Sequence, residues 1–270
     1  IDSGIEGAGM GIPTLITSTA TTGPVIRIQA NRQFLRDLKI DADAARRAVS
    51  NLMTAPGVLI APLDSGTVTA THSTIERVAV HFQPGSCFLY VSTVNGFRAS
   101  QIEGRDCDGH GIQFDNGTVL SYATNLAQPG LGEVSDSFFF DNLGHGIATG
   151  VVTDTNNRGV RILFSDVEMG RNAFAAGTRL AAAQAYLYGD NIVFKLGAFS
   201  GDPTLATGGV RVLGRAITLE NNRYLDINPA IVVENNAAYE TQDIRIIQVK
   251  ISGANQTALD IHAIEQTARV

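Results

Sequence analysis

Apolar side chains recur at roughly every second position in short segments along most of the chain. This alternation is typical of a β-strand that buries one of its two faces. Polar turns containing Gly, Asn or Asp separate the segments and mark where strands end. The segments with this pattern are 34–41, 75–82, 97–104, 134–141, 160–169, 191–199, 216–227 and 244–251.

A second short apolar segment follows each of these segments and is introduced by glycine or another small residue. These second segments are 57–62, 85–92, 109–115, 144–150, 184–189, 208–214, 230–235 and 258–264. The pair returns at intervals in the range known for coiled repeats. The chain therefore revisits equivalent positions, as a solenoid does.

One four-residue sequence motif occurs twice and supports the interpretation as a solenoid. Gly-His-Gly-Ile stands at 109–112 and again at 144–147, and Asp106 and Asp141 each precede the first glycine by three residues. Matched corners on successive coils would stack His110 above His145. A β-sandwich is the alternative fold, but its hairpins need two-residue turns. The pair Asn116-Gly117 is the one good candidate for such a turn, so we predict an all-β solenoid over residues 1–270.

Asparagines at the ends of strands predict the corners of this solenoid, because asparagine tolerates left-handed backbone and bonds its polar neighbours. The asparagines in question are Asn142, Asn172, Asn221 and Asn222. Alanine-rich composition predicts two short helices in loops, at 41–50 and 171–184. The segments 116–132 and 150–159 are the longest polar interruptions, and long loops on a regular scaffold often carry binding residues.

Composition narrows the classes of partner. Only 17% of residues are charged, 28 are glycine, and the net charge is −6 without any extended basic run. These values disfavour nucleic acid and anionic membranes as partners. No apolar run is long enough for a membrane helix, and no Cys/His spacing indicates zinc. We therefore expect no membrane insertion, no metal and no cofactor.

The two cysteines, Cys87 and Cys107, lie in strand-like segments. We expect two buried free thiols, with a disulfide between neighbouring coils as the alternative.

The sequence begins at Ile1 without a methionine, inside a plausible strand. We expect it to be part of a longer chain.

Several segments resemble the right-handed parallel β-helix of the pectate-lyase-like superfamily, in the version found in bacteriophage tailspike and tail-fibre proteins. The resemblance begins with IEGAGMGIPTLIT (5–17), GPVIRI (23–28) and LKIDADAARRAV (38–49), and continues through HGIQFDNGTV (110–119), DNLGHGI (141–147) and ENNRYLDI (220–227). It thus covers nearly the whole chain. This fold hosts lyases, hydrolases, epimerases and inert binding stalks, so the resemblance specifies activity poorly.

The resemblance implies an extracellular protein of the phage tail. It implies a homotrimer that is attached to other virion tail proteins through an N-terminal part outside this sequence. It also implies recognition of a bacterial surface polysaccharide. The run 138–140 is Phe-Phe-Phe, and alternation must place at least one ring outward. A subunit interface or an adjacent loop could cover that ring.

Aspartates near the first Gly-His-Gly are the candidates for glycan hydrolysis, which needs an acid and a base on stacked coils. We predict Asp106 and Asp108 as this pair, with Asp141 as a third carboxylate and Asp115 beside the substrate. The alternative is structural, because aspartate before glycine commonly caps a turn.

Polygalacturonase-like hydrolases, which share this fold, suggest a more specific form of this predicted catalytic site. The chain loosely resembles their Asp-Asp, Gly-His-Gly and Arg-Ile-Lys order, which implies support of the carboxylates by His145 and a substrate contact by Arg161. Cys107 splits the aspartates, however, and Leu163 stands where the lysine belongs. A stacked structural corner explains His145 equally well.

A lyase is the other enzymatic option, and it needs a base that removes the proton alpha to a uronic carboxylate. Tyr122 and Arg158, on the long loops, could serve. Three hypotheses therefore remain: a polysaccharide-binding tail fibre or spike, a depolymerase of the same build, and a secreted pectinolytic enzyme. The last fits the signature residues least well.

Overall fold

The computed structural model describes most of the chain. Its described residues are 3–8, 14–18, 23–42, 55–61, 72–91, 96–115, 130–150, 158–173, 183–201, 208–227, 229–235, 240–253 and 258–261. Every strand pairing in these ranges is parallel, and each strand pairs with the equivalent strand one coil away. The chain is a right-handed parallel β-helix, as predicted. A hairpin sandwich is therefore excluded.

Each coil has three faces, which we number in chain order. The strands of face 1 are β3 (Ile26–Ile28), β5 (Val58–Ile60), β7 (Phe88–Val91), β10 (Ile112–Asp115), β12 (Ile147–Thr149), β14 (Ala183–Asp190), β17 (Gly208–Arg215), β20 (Ile231–Val233) and β23 (Leu259–Ile261). They correspond to the second segments of the sequence pattern, which is confirmed.

Faces 2 and 3 together correspond to the first segments, which the sequence pattern presents as single strands. Face 2 holds β1 (Ser3–Glu6), β8 (Phe97–Ser100), β15 (Val193–Lys195), β18 (Thr218–Glu220) and β21 (Arg245–Ile247). Face 3 holds β2 (Thr14–Ser18), β9 (Glu103–Arg105), β16 (Ala198–Ser200), β19 (Arg223–Leu225) and β22 (Lys250–Ser252). Four longer strands bend from face 2 into face 3: β4 (Gln33–Ala42), β6 (Thr74–His81), β11 (Gly130–Phe140) and β13 (Gly159–Gly170).

Left-handed residues make the bends. Corner 2–3, between faces 2 and 3, has one such residue in each of eight coils: Asp37, Arg77, Gln101, Asp136, Asp166, Leu196, Asn221 and Gln248, with φ between 48° and 59°. Corner 3–1 is bent in the same way at Phe82, Asp106, Asp141, Arg171 and Asp226. Corner 1–2 is bent at Arg32, His72, Arg161, Asn191, Ala216 and Asp243. Most side chains avoid this conformation, so the stacking of coils must impose it.

Aromatic and aliphatic side chains fill the interior in columns. Tyr90 stacks on Phe114 with ring centroids 5.1 Å apart, and Phe199 stacks on Tyr224 at 4.7 Å. At β5 and β7, face 1 is buried on both sides, because Leu59 and Leu89 point away from this core and are still at most 1% exposed. Double burial explains why these two strands are continuously apolar rather than alternating.

Buried asparagines hold corner 3–1 together, as the sequence indicates. The side-chain oxygen of Asn142 accepts the backbone N–H of Cys107 at 3.0 Å, and its amide donates to the Gly104 carbonyl at 3.1 Å and to Asn172 at 2.8 Å. Asn172 repeats the pattern one coil on, accepting the backbone N–H of Asn142. The ladder satisfies backbone groups that the bend removes from the sheets.

The prediction of two free thiols is wrong, because Cys87 and Cys107 form a disulfide with a Cα–Cα distance of 5.9 Å. Cys87 directly precedes face 1 of one coil, and Cys107 follows face 3 of the same coil. Corner 3–1 is so tight that both side chains enter the same part of the interior. The disulfide that stood as the alternative is therefore present, and it links the end of one coil to its start.

Neither predicted helix is found in the described residues. Asp41 and Ala42 belong to β4, and Ala183 and Gln184 begin β14, so these residues are strand rather than helix. Stacking on the neighbouring coil outweighs the helix preference of alanine at these positions. The remaining parts of both predicted helices, 43–50 and 174–182, lie outside the described residues.

We predict that Asn142→Ala lowers the free energy of unfolding by about 3 kcal/mol or more. The substitution leaves several buried backbone groups without partners, and each such group costs about 1–3 kcal/mol. Urea denaturation measures the change. Asn221→Gly is the control, because glycine also accepts the left-handed corner and Asn221 is only partly buried. Equal effects of the two substitutions would contradict the role of the ladder.

We also predict that reduction of the disulfide destabilises the protein by about 3 kcal/mol, the loop-closure value for its separation of 20 residues. Urea midpoints with and without a thiol reductant test this. The double variant Cys87→Ala, Cys107→Ala should be insensitive to the reductant. An unchanged midpoint for the reduced wild-type protein would count against a stabilising disulfide.

Candidate functional site

The predicted catalytic aspartates lie at corner 3–1, where two of them are paired with arginines. Asp106 and Asp141 occupy the corner on neighbouring coils. Arg105 lies 3.4 Å from Asp106 and 3.5 Å from Asp141, and Arg171 lies 2.7 Å from Asp141. The backbone N–H of Asp108 donates to the Gln83 carbonyl of the preceding coil at 2.8 Å. The catalytic role of the three aspartates stays a prediction.

The remaining predicted residues lie elsewhere around the coil. Asp115 ends β10 on face 1 and is fully buried. Arg158 stands beyond the end of face 1 and is paired with Asp190 at 3.1 Å. Arg161 is exposed at corner 1–2 in the left-handed conformation. Tyr122 lies outside the described residues. The structure therefore brings Asp106 and Asp141 together but does not bring Asp115, Arg158 or Arg161 to corner 3–1.

His110 and His145 form the stacked pair that the repeated Gly-His-Gly-Ile motif predicts. Their rings are nearly parallel, with centroids 5.3 Å apart. The backbone N–H of His145 donates to Nδ1 of His110 at 2.9 Å, and Nδ1 of His145 lies 2.7 Å from the Ala183 carbonyl oxygen. Burial is the main cause that lowers both pKa values, to about 3 for His110. The contacts of His145 are those of a structural column.

That column continues along face 1 through further polar side chains. The ring of Tyr186 is 5.7 Å from that of His145, and the guanidinium of Arg211 lies 5.9 Å from the Tyr186 ring centre. Arg211 is in turn paired with Glu234. Each group is thus partnered by the group one coil away. The column stabilises the start of face 1 without presenting a free cation.

A groove along corner 2–3 was missed by the sequence analysis. Its volume is about 780 Å³, and it extends over five coils of faces 2 and 3. Coils are spaced by about 4.8 Å, so the groove is about 19 Å long. Its polar and aromatic lining consists of Asp37, Lys39, Arg77, His81, Gln101, Glu103, Asp136, Phe138, Asp166 and Glu168.

The N-terminal half of the groove contains cations that already have carboxylate partners. Arg77 binds both oxygens of Asp37, at 2.6 and 2.9 Å, and also Glu76. The Arg77 hydrogen bonds lower the pKa of Asp37. Lys39 lies 3.5 Å from Asp41. These pairs leave little net charge at this end.

The C-terminal half is acidic and contains an exposed aromatic ring. The side chain of Phe138 is 43% exposed, so the described residues leave much of its ring uncovered. Glu103 precedes it by one coil and Glu168 follows it by one coil in the same register. Asp136 and Asp166 stack beside them at the bend. A hydrogen bond with His81 is the main cause that lowers the pKa of Glu103.

A smaller depression of about 240 Å³ continues the surface along face 3. It shares Glu168 with the groove and reaches Arg223 and Lys250.

Within the described ranges, no group of three or more His, Cys, Asp or Glu side chains could hold a metal ion. The same ranges contain no helix long and apolar enough to cross a membrane.

We predict that the free energy of unfolding falls by on the order of 1–2 kcal/mol between pH 7 and pH 5, because of the stacked histidines. The folded state keeps the pKa of His110 at about 3, so the unfolded chain takes up protons first as the pH falls. Their contribution to stability is therefore full above about pH 6.5 and is lost progressively below it. Denaturation curves at both pH values test this. His110→Asn, which keeps an acceptor for the His145 N–H, should show a smaller loss, and an identical loss would contradict the assignment.

Comparisons with known proteins give structural relatives only. No protein-family model matches the sequence, and no curated protein matches it. The catalytic domain of Agl-KA superposes with a TM-score of 0.66 at 15% identity over 97% of this chain, which spans 46% of that chain. PfbA, a surface adhesin of Streptococcus pneumoniae, gives a TM-score of 0.51 at 8% identity, covering 91% of this chain and 71% of that one.

The enzymatically active domain of tailspike protein 2 from bacteriophage CBA120 is a third such structure. It gives a TM-score of 0.50 at 8% identity and covers 93% of this chain and 42% of the tailspike chain. At these identities a likeness establishes architecture and not activity. The chain has the right-handed parallel β-helix fold of the superfamily that its sequence resembles.

Proposed function

We propose that this protein recognises a bacterial surface polysaccharide, as a receptor-binding fibre or spike of a phage tail, and that the groove at corner 2–3 holds the glycan. The observation that carries the proposal is the groove itself. It is elongated and polar, and the exposed ring of Phe138 forms part of its lining. An extended chain of sugars presents hydroxyl groups along its length and apolar ring faces. The groove offers carboxylates for the former and Phe138 for the latter.

Two further observations support the proposal. The solved structures with this architecture include a phage tailspike domain and a surface adhesin, although this chain spans less than half of the tailspike. The interior disulfide is typical of proteins that work in oxidising surroundings, outside the cytosol. A homotrimer attached to other tail proteins is part of the proposal, and sedimentation analysis of the purified protein tests the trimer.

Cleavage of the glycan is the second candidate function. Glu103 and Glu168 are two coils apart, so their backbones are about 9.6 Å from each other. An inverting pair of carboxyl groups stands roughly 6.5–9.5 Å apart, with room for the attacking water. The groove therefore offers a carboxylate pair in addition to the predicted pair Asp106 and Asp108. Hydrolysis suits this half of the groove better than a lyase reaction, which needs a cation to neutralise a uronic acid.

We predict that Phe138→Ala weakens binding of the purified host polysaccharide at least tenfold, because the ring supplies the apolar contact. Titration calorimetry measures the affinity. Ile247→Ala is the matched control, because Ile247 is a 40% exposed side chain on face 2 that lines neither the groove nor the adjoining depression. Unchanged affinity in Phe138→Ala would remove the groove from the proposal.

The same polysaccharide separates binding from cleavage. New reducing ends indicate hydrolysis, and an unsaturated product that absorbs ultraviolet light indicates a lyase. If hydrolysis occurs, Asp106→Asn with Asp108→Asn tests the pair at corner 3–1, and Glu103→Gln with Glu168→Gln tests the pair in the groove. The pair whose loss leaves turnover unchanged is not the catalytic one.

A further inference from the structure

We propose that the acidic half of the groove selects a sugar that carries a free ammonium group and seats that group over the ring of Phe138, between Glu103 and Glu168. The inference rests on the proposed function and deepens it, because it names the chemical class of the glycan. The residues that recognise the ammonium lie on three successive strands, β9, β11 and β13, and are Glu103, Asp136, Phe138, Asp166 and Glu168.

The exposed ring of Phe138 is the first observation that supports ammonium binding. A phenylalanine on the outer side of a strand at 43% exposure leaves apolar surface in water, and here it lies inside a groove rather than on a convex face. The face of an aromatic ring attracts a cation through its quadrupole, most strongly when the cation is partly desolvated. Phe138 can therefore contact either a sugar ring or an ammonium group.

The surrounding charge decides between these two ligands. Glu103 and Glu168 lie one coil to either side of Phe138, and Asp136 is stacked with Asp166 at the bend. In the described part of the chain, no ion pair joins Asp136, Asp166 or Glu168 to a cation. Like charges that face each other across neighbouring strands destabilise a sheet. A bound cation would relieve this repulsion.

The rest of the lining does not offset this acidity. The two permanent cations of the groove, Lys39 and Arg77, lie on its first two coils and are paired with Asp41 and Asp37. Of the acidic residues, Glu103 is the one that Lys39 influences electrostatically, from two coils away. Walls of one sign concentrate ligands of the opposite charge. The acidic half therefore disfavours uronic acids and favours an amino sugar whose nitrogen is not acetylated.

Three hexasaccharides that differ in charge test this selectivity. Fully de-N-acetylated chitosan hexamer, the N-acetylated chitin hexamer and a galacturonate hexamer are titrated into the wild-type protein by calorimetry at low salt. We expect the chitosan hexamer to bind at least tenfold more tightly than the other two. Its affinity should fall steeply with added salt, because the interaction is electrostatic.

Variants locate the binding. Phe138→Ala and Glu168→Gln should each weaken chitosan-hexamer binding at least tenfold. Ile247→Ala and Glu240→Gln, at exposed positions outside the groove and the adjoining depression, should leave the affinity unchanged. Sedimentation of Phe138→Ala should match the wild type. A change in its oligomeric state would place the ring in a subunit interface and overturn the inference.

Stability provides a readout that does not depend on the ligand. Asp166→Asn removes one of the stacked charges, and asparagine accepts the left-handed conformation of this corner, where φ is 55°. We expect this substitution to raise the Tm of the free protein and to weaken chitosan-hexamer binding. Asp226→Asn, at a left-handed position of corner 3–1 with φ of 54°, should do neither.

Failure of this inference is distinguishable from failure of the proposed function. Equal affinity for the three hexamers, tighter binding of galacturonate, or no binding of chitosan overturns the selectivity for ammonium. If Phe138→Ala still weakens binding of the host polysaccharide, the groove remains the glycan site. If that polysaccharide binds wild type and Phe138→Ala equally, the groove itself is not the site.

Discussion

Every part of this structure depends on the bends, which must recur at the same places in every coil. A strand can pair with the next coil along its whole length only if both turn at equivalent residues. At corner 2–3 the turn is made by a single left-handed residue in each of eight coils, including Leu196, a side chain that normally avoids this conformation. The hydrogen bonds between coils and the buried columns compensate for the local cost. The shape of the outer surface, and hence the groove, follows from these bends.

The sequence predicts the strands well, because burial imposes a local pattern. Face 1 can be read from short apolar runs, and the corner asparagines from their position after strands. The bend at corner 2–3 is less visible. Leu35 and Leu38 both point inward although three positions separate them, and Ile75 with Val78 repeats this spacing one coil on. A left-handed residue shifts the alternation by one position. Two strands joined by such a residue are therefore easily mistaken for one irregular strand.

The groove could not be predicted from motifs, because its residues are not neighbours in sequence. Glu103, Phe138 and Glu168 come together only when the register between coils is known, and the intervening turns differ in length. The motif search instead favoured Asp106, Asp108 and Asp141, which are close in sequence or in repeat position. The disulfide was misjudged for a related reason. Cys87 and Cys107 are separated by less than one coil, so repeat position alone does not align them.

The disulfide has a consequence for how such a rod comes apart. Contacts in a solenoid join each coil to its immediate neighbours, so a pulling force can peel one coil after another from either end. The covalent link between Cys87 and Cys107 closes one coil, and a pulling force cannot extend that coil without breaking a chemical bond. Tension applied to the two ends would therefore leave the closed loop between Cys87 and Cys107 intact while the rest of the rod extends.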